Sequence, residues 1–247
     1  MFAFSEQRGR IEVAFTDRLG GVSGAPYDSL NLAAQGDDDR SAVAQNLNRV
    51  MEAFAGSADA SAALMRQVHG SDVAVVAEDP GSGFAGADGV PAADGLVTAL
   101  PGVTLVVRVA DCVPVLLADV RQGVVAALHA GRAGLVAGIV PAGVESMRAL
   151  GGEELVAWVG PHVCGHCYEV PESMRANVAG VVSEAWAETS WGTPAVDVGA
   201  GVVAQLRGAG AEVVDASRCT RESPDLYSYR RDGAGAGRMA GLVRVRR

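Results

Sequence analysis

Two histidines stand where an apolar run meets glycine. His69 lies in Gln67-Val68-His69-Gly70, and His129 lies in Leu128-His129-Ala130-Gly131. A cysteine, Cys112, occupies a comparable place in Ala110-Asp111-Cys112-Val113-Pro114. Cys112 and His129 are 129 − 112 = 17 positions apart, and their midpoint falls inside the turn signal of Asp119 to Gly123. In an antiparallel hairpin centred there they face each other, with Cβ atoms roughly 4.5–5.5 Å apart. Two ligands of one tetrahedral ion span such a gap, and His69 would supply a third. Three N/S ligands with the fourth position open form the pattern of a catalytic zinc rather than a structural one. Taken singly, each residue has an ordinary alternative. A buried cysteine is usually a small apolar side chain, and a histidine near a core is usually just hydrogen-bonded.

The other two histidines and two more cysteines crowd into His162-Val163-Cys164-Gly165-His166-Cys167. The spacing is too tight for all four to bind one ion, and no second pair is evident elsewhere. Cys164-x-x-Cys167 lacks the helix that follows such a pair in thioredoxin-like redox units. The cluster reads as a loop near the site with no metal role.

All 20 basic residues are arginine, in a chain of formal net charge −9. Schiff-base and P-loop lysine chemistry is therefore excluded. Any anion must be held by arginine, histidine, backbone N–H or metal. The charge argues against a general nucleic-acid or membrane-surface binder. The N-terminus has no basic start followed by an apolar stretch, and the apolar run Val124 to Val144 is broken by His129 and Arg132. Neither a signal peptide nor a membrane span is expected, and the expected location is cytoplasmic. There, four cysteines are thiols or metal ligands more readily than disulfides.

These residues need elements to position them. Strands are expected at Arg10 to Arg18, on both sides of Gly70 within Ala63 to Ala77, at Ala92 to Ala99, in the run Val103 to Val120, at Gly123 to His129, Leu155 to Val159, Glu212 to Asp215 and Ala240 to Val245. Helical spacing marks Ser41 to Phe54, with Ser41 as N-cap, and then Ala130 to Met147, Pro171 to Ala187 and Val196 to Arg207. Asp79 to Ala93 reads as a loop. No repeat or long polar linker divides the 247 residues, so one domain over 1–247 is expected.

Several strings, taken in order, resemble one family. They include Thr16-Asp17-Arg18-Leu19-Gly20-Gly21, Ser29-Leu30-Asn31-Leu32, the three strings above, Ala93-Asp94-Gly95-Leu96, Gly160-Pro161, Tyr168-Glu169-Val170, Cys219-Thr220 and Tyr227-Ser228-Tyr229-Arg230-Arg231. The match is to the YfiH/YlmD family, also labelled polyphenol-oxidase laccases and peptidoglycan editing factors. The resemblance implies an α+β fold, a single layered domain of mixed β-sheets flanked by helices (α/β/β/α). It implies zinc on His69, Cys112 and His129. It further implies a purine nucleoside phosphorylase, acting with inorganic phosphate on adenosine, inosine, guanosine and methylthioadenosine, with adenosine deaminase activity. This sequence departs from the family's usual HAGWRG, reading His129-Ala130-Gly131-Arg132-Ala133-Gly134. Either Arg132 reaches the same ligand from a shifted backbone position or that contact is lost.

Both reactions suit such a site. Zinc lowers the pKa of bound water toward ~7 for attack at purine C6. Phosphorolysis needs bidentate cationic anchoring of phosphate. The candidate substrate-binding residues are Arg18, Asn31, Arg66, Arg132, Arg230 and Arg231. Asp94 and Asp111 are candidate acid/base groups or orienters of the ligands. Without metal, Cys112 and His129 would form a nucleophile–base pair suited to a hydrolase or amidase acting on peptidoglycan precursors. A multicopper laccase needs more histidines than four.

Overall fold

The computed structural model describes residues 1–33, 35–81 and 90–247, so the loop expected over Asp79 to Ala93 lies partly outside the described residues. The chain runs through β1 (Phe2–Arg8), β2 (Ile11–Thr16), α1 (Arg40–Ala55), β3 (Ala62–Ala63), β4 (Val73–Val75), β5 (Gly95–Thr98), β6 (Thr104–Val109), β7 (Val113–Asp119) and β8 (Val124–Ala130). It continues with α2 (Arg132–Ala137), α3 (Ile139–Ala149), β9 (Leu155–Val159), α4 (Glu172–Ala179), β10 (Trp186–Glu188) and β11 (Pro194–Val196). The last elements are α5 (Val198–Gly208), β12 (Glu212–Asp215), α6 (Tyr229–Asp232) and β13 (Met239–Val245).

Two mixed sheets stack face to face. One has the order β1-β2-β13-β6-β3 and the other β12-β9-β7-β8-β5-β4, while β10 and β11 form a separate ribbon. Side-chain alternation explains the stacking. On β6, Leu105, Val107 and Val109 face the other sheet, whereas Val106 faces outward toward Leu47 and Val50 of α1. On β8, Val125 and Ala127 face the first sheet, and Val124, Ala126 and Leu128 face Ile139, Val140 and Val144 of α3. Strands apolar on both faces are thus required, and each fully buried Val or Leu contributes roughly 1.5–3 kcal/mol over exposure. The result is the α/β/β/α layering implied by the resemblance.

Four local expectations change. The run Val103 to Val120 is two strands, because Asp111 adopts a left-handed φ of 86° and turns the chain from one sheet into the other. The helix expected from Ala130 to Met147 breaks at Gly138, whose φ of 87° caps α2. The helix expected from Pro171 to Ala187 ends at Ala179, and Trp186–Glu188 is a strand. The N-cap of α1 is Asp39 rather than Ser41, since the Asp39 carboxylate accepts from the Ser41 N–H. Residues Phe2–Arg8, with no sequence expectation, form an additional edge strand on β2.

The β7–β8 turn is fixed by Asp119. Its buried carboxylate accepts N–H groups from Arg121 and Gln122 at 2.9 Å, Glu153 at 2.8 Å and Glu154 at 2.9 Å. Burial raises the pKa of this carboxyl, but the four backbone donors outweigh burial and hold it below its ordinary value. Asp119→Asn is expected to destabilise the protein by about 1–3 kcal/mol at pH 7. A carboxyl depressed in the folded state contributes fully above its unfolded pKa of about 4 and is lost as pH falls through the folded value. Urea denaturation should therefore show the gap between the two proteins closing below pH 4, and a gap independent of pH would contradict this role.

Candidate metal centre

The β7–β8 hairpin pairs Val113 with Ala130, Pro114 with His129 and Asp119 with Val124. Cys112 and His129 are therefore not directly opposed, as the 17-residue spacing suggested. The turn closes one residue later than the expected midpoint, with Gly123 N–H donating to the Asp119 carbonyl at 2.9 Å. The two residues stand on a diagonal, whose reach is roughly 7–8 Å or slightly less between Cβ atoms. They remain on the same face of the hairpin because a two-residue offset preserves strand parity. His69, from the segment between β3 and β4, arrives beside them.

The candidate ligand atoms of His69, Cys112 and His129 all lie within 4.8 Å of one another. Cys112 Sγ is 3.9 Å from His69 Nε2, and the two imidazole rings meet edge-to-face at a centroid separation of 4.8 Å. A Cβ on Gly131 would sit 2.8 Å from His69 Cδ2 and 3.2 Å from Cys112 Sγ. Glycine after His129-Ala130 is thus what lets the third ligand approach.

Asp94 organises this cluster from behind. Its fully buried carboxylate accepts the Val68, His69 and Gly70 N–H groups at 3.1, 2.9 and 2.7 Å. It also accepts His129 Nδ1–H at 2.8 Å. Committing Nδ1 to Asp94 turns Nε2 toward the cluster, the arrangement that orients a histidine ligand. Burial raises the Asp94 pKa, but His129 and the Gly70 and Val68 N–H groups outweigh it and the carboxyl stays ionised. Burial lowers the pKa of His129, yet Asp94 and Cys112 lift it to about 9. Burial raises that of Cys112, yet His129 and His69 bring it down to about 6. The thiolate form a metal requires is the resting form at neutral pH.

His69 has φ 62° and Asp111 φ 86°, positive values that non-glycine residues seldom adopt. Both are clamped. The Asp94 carboxylate holds His69 N–H, and the Asp111 carboxylate accepts Thr220 Oγ1–H and Arg230 N–H, each at 2.6 Å.

The cluster opens into a cavity of about 720 Å³. Arg66, Arg108, Arg132, Arg230 and Arg238 line it, and Asp111 is the one carboxylate among its described lining residues. Arg108 and Arg238 were absent from the expected site. Burial first, and the Arg238 charge second, lower the Arg108 pKa to about 10. The signal for Arg108 was an arginine inside the apolar run Thr104 to Val109. Gln67 fixes this wall. Its amide donates to the Arg108 carbonyl at 2.8 Å, and its carbonyl accepts Arg108 N–H at 2.9 Å.

Of the expected site residues, the structure brings His69, Cys112, His129, Asp111, Arg66, Arg132 and Arg230 to the cavity. Asp94 stands behind the ligands. Arg18, Asn31 and Arg231 are elsewhere. Arg231 donates to the carbonyls of Thr220, Ser223 and Leu226, and Asn31 bridges Asp38 and Arg238 N–H. The Arg18 guanidinium stacks on Tyr227 and donates to the Asp28 carbonyl.

A family model described as multi-copper polyphenol oxidoreductase laccase matches residues 12–246. Among solved structures, YlmD from Geobacillus stearothermophilus superposes with a TM-score of 0.88 at 29% identity, over 100% of both chains. YfiH from Bacillus licheniformis superposes with a TM-score of 0.86 at 25% identity, covering 96% of this chain and 93% of that one. The chain belongs to the YfiH family. A YfiH-family relative in Streptomyces griseus, named purine nucleoside phosphorylase ORF3, is 55% identical over 239 residues, which is 95% of this chain and 94% of that protein.

Asp94→Asn is expected to weaken metal binding at this centre about 10–100-fold by freeing His129. Cys112→Ala is expected to remove one metal ion per chain. Competition titrations against a chromophoric chelator measure both, and unchanged affinity in Asp94→Asn would exclude an orienting role.

Proposed function

We propose that this protein is a zinc-dependent purine nucleoside phosphorylase, acting on adenosine, inosine, guanosine and methylthioadenosine, with an accompanying adenosine deaminase activity. The observation that carries the reading is an arginine-lined cavity beside the His69–Cys112–His129 cluster, in a chain whose net charge is −9. Among the described lining residues, five guanidiniums against one carboxylate suit a multiply charged oxyanion. The names of its relatives point the same way. The location proposed is cytoplasmic. The four cysteines are free, and among the described residues no helix is long and apolar enough to cross a membrane.

In the proposed reaction the arginines neutralise inorganic phosphate and aim one of its oxygens at the ribose anomeric carbon. The new C–O bond forms as the glycosidic C–N bond breaks, and the purine keeps the electron pair and takes up a proton. Ribose-1-phosphate and free base are released. Tyr168, with Arg230 stacked 4.6 Å from its ring centre, offers an aromatic wall for the base. Asp111 acts as a positioning residue, holding Arg230 through its backbone N–H. Zinc on the three ligands would supply Lewis-acid stabilisation and, for deamination, an acidified water. Asp94 keeps His129 aimed, and Cys112 serves as ligand.

The laccase description finds little support in the donors. Of the four histidines only His69 and His129 converge, and neither His162 nor His166 belongs to a described group of candidate ligands. A second reading, a cysteine hydrolase or amidase, is favoured by one observation, the packing of the Cys112 thiol among His69 and His129, with Sγ 3.9 Å from His69 Nε2. Alkylation separates the two, since zinc should shield Cys112 from iodoacetamide if it is a ligand. Stoichiometric labelling that zinc leaves unchanged would support the nucleophile.

Chromatography of adenosine incubated with metal-quantified protein tests the main reading. Adenine and ribose-1-phosphate that appear only with phosphate are expected, with inosine reporting deamination; untouched adenosine would overturn it. Arg132→Ala is expected to raise the KM for phosphate about tenfold or more with metal content unchanged. An unaltered phosphate dependence would remove Arg132 from the anion site.

A further inference from the structure

The second cysteine-rich region, expected from sequence to be a loop near the site without a metal role, gains partners from a second loop. Cys164 and Cys167 meet Cys219 and Glu222, from the segment after β12, and the four ligand atoms all lie within 4.8 Å of one another. The sequence pattern is Cys-x-x-Cys followed by Cys-x-x-Glu. Each arm is a tight turn. The Cys167 and Tyr168 N–H groups donate to the Cys164 carbonyl at 3.0 and 3.1 Å, and Ser223 N–H donates to the Cys219 carbonyl at 3.1 Å. The arms are joined by the parallel bridge His162 to Cys219, and Cys167 Sγ lies 3.4 Å from Glu222 Oε1.

We propose that Cys164, Cys167, Cys219 and Glu222 bind a second zinc ion, a closed four-ligand structural site. Two chelating pairs, each with a two-residue gap, match the geometry that tetrahedral zinc takes from thiolates and carboxylates. All three cysteines are unbridged. A disulfide would use two of them and leave the third thiol and the carboxylate without a function in the cluster. Three thiolates and a carboxylate around a dication leave a net charge of −2, and Arg221, whose influence lowers the Cys167 pKa, partly offsets it.

The site would clamp the cavity wall. Val163 and Tyr168, flanking the first arm, line the cavity, and Thr220, inside the second arm, donates to Asp111 next to Cys112. A metal here fixes the loop of Tyr168 against the loop that leads to Arg230. It contrasts with the His69–Cys112–His129 centre, which has three ligands and an open side.

The test reads metal, not turnover. Protein made with zinc supplementation and dialysed against a weak chelator is analysed by mass spectrometry of its metals. Two zinc ions per chain are expected in the wild type, one in Cys112→Ala, and none in Cys112→Ala combined with Cys219→Ser. A Cys112→Ala chain without zinc overturns the second site, whatever the wild type holds. So does peptide mapping that finds two of Cys164, Cys167 and Cys219 joined as a disulfide in the protein as purified. Cobalt substitution of the Cys112→Ala chain needs no further mutation. Its thiolate-to-cobalt charge-transfer band should match three thiolates, and absence of that band counts against the site. Failure of the nucleoside assay leaves all these outcomes unaffected.

Discussion

One buried carboxylate holds the centre together. Asp94, the residue before β5, gathers three consecutive N–H groups from the His69 segment while gripping His129 on β8. Removing a carboxylate from water is expensive unless it is paired and hydrogen-bonded. Here four donors make the charge tolerable, and the same four contacts set the positions of two ligands. The left-handed backbone at His69 persists because Asp94 over-determines it. The layers, the hairpin and the corner at Asp111 all deliver their residues to this one anchor.

Electrostatics then divides the labour. The chain as a whole carries a net charge of −9, whereas guanidiniums outnumber carboxylates among the described cavity-lining residues. Without lysine, the flexible cations among the described cavity-lining residues are all planar forks, and two are already committed on one edge to backbone carbonyls. Arg108 gives Nη2–H to the Met65 carbonyl, and Arg238 gives Nη1–H to Ala236 and Gly237. Such commitments reduce the entropy lost when an anion arrives, since the forks are already partly ordered.

Much of this was legible in the sequence, and the gaps have physical reasons. The grouping of His69, Cys112 and His129 was legible because the chain has only four histidines and four cysteines, and a hairpin turn lies between Cys112 and His129. Strand parity preserved the face of Cys112 and His129 even though the register was offset by two. Asp94 stood out in the sequence as a candidate acid/base or orienting carboxylate, and its place behind the candidate ligands depends on burial. Arg18, Asn31 and Arg231 lie in family-like strings, yet loop carbonyls and carboxylates need partners as much as substrates do, and those residues supply them. Arg108 hid inside an apolar strand. The partnership of Cys164 and Cys167 with Cys219 and Glu222 was invisible because it spans two loops that only the β9–β12 pairing brings together.

The position of β13 bears on how the centre is made. Residues Met239–Val245 lie between β2 and β6, so the first sheet cannot close until this strand, distant in sequence from both neighbours, is in place. Non-local pairing of this kind is slow relative to local hairpins. During synthesis, the β7–β8 hairpin and its thiolate would emerge well before the sheet that covers them. Organisation of the His69–Cys112–His129 cluster is therefore coupled to the docking of β13, and a chain lacking that strand would present loose cysteines and histidines rather than a preorganised cluster.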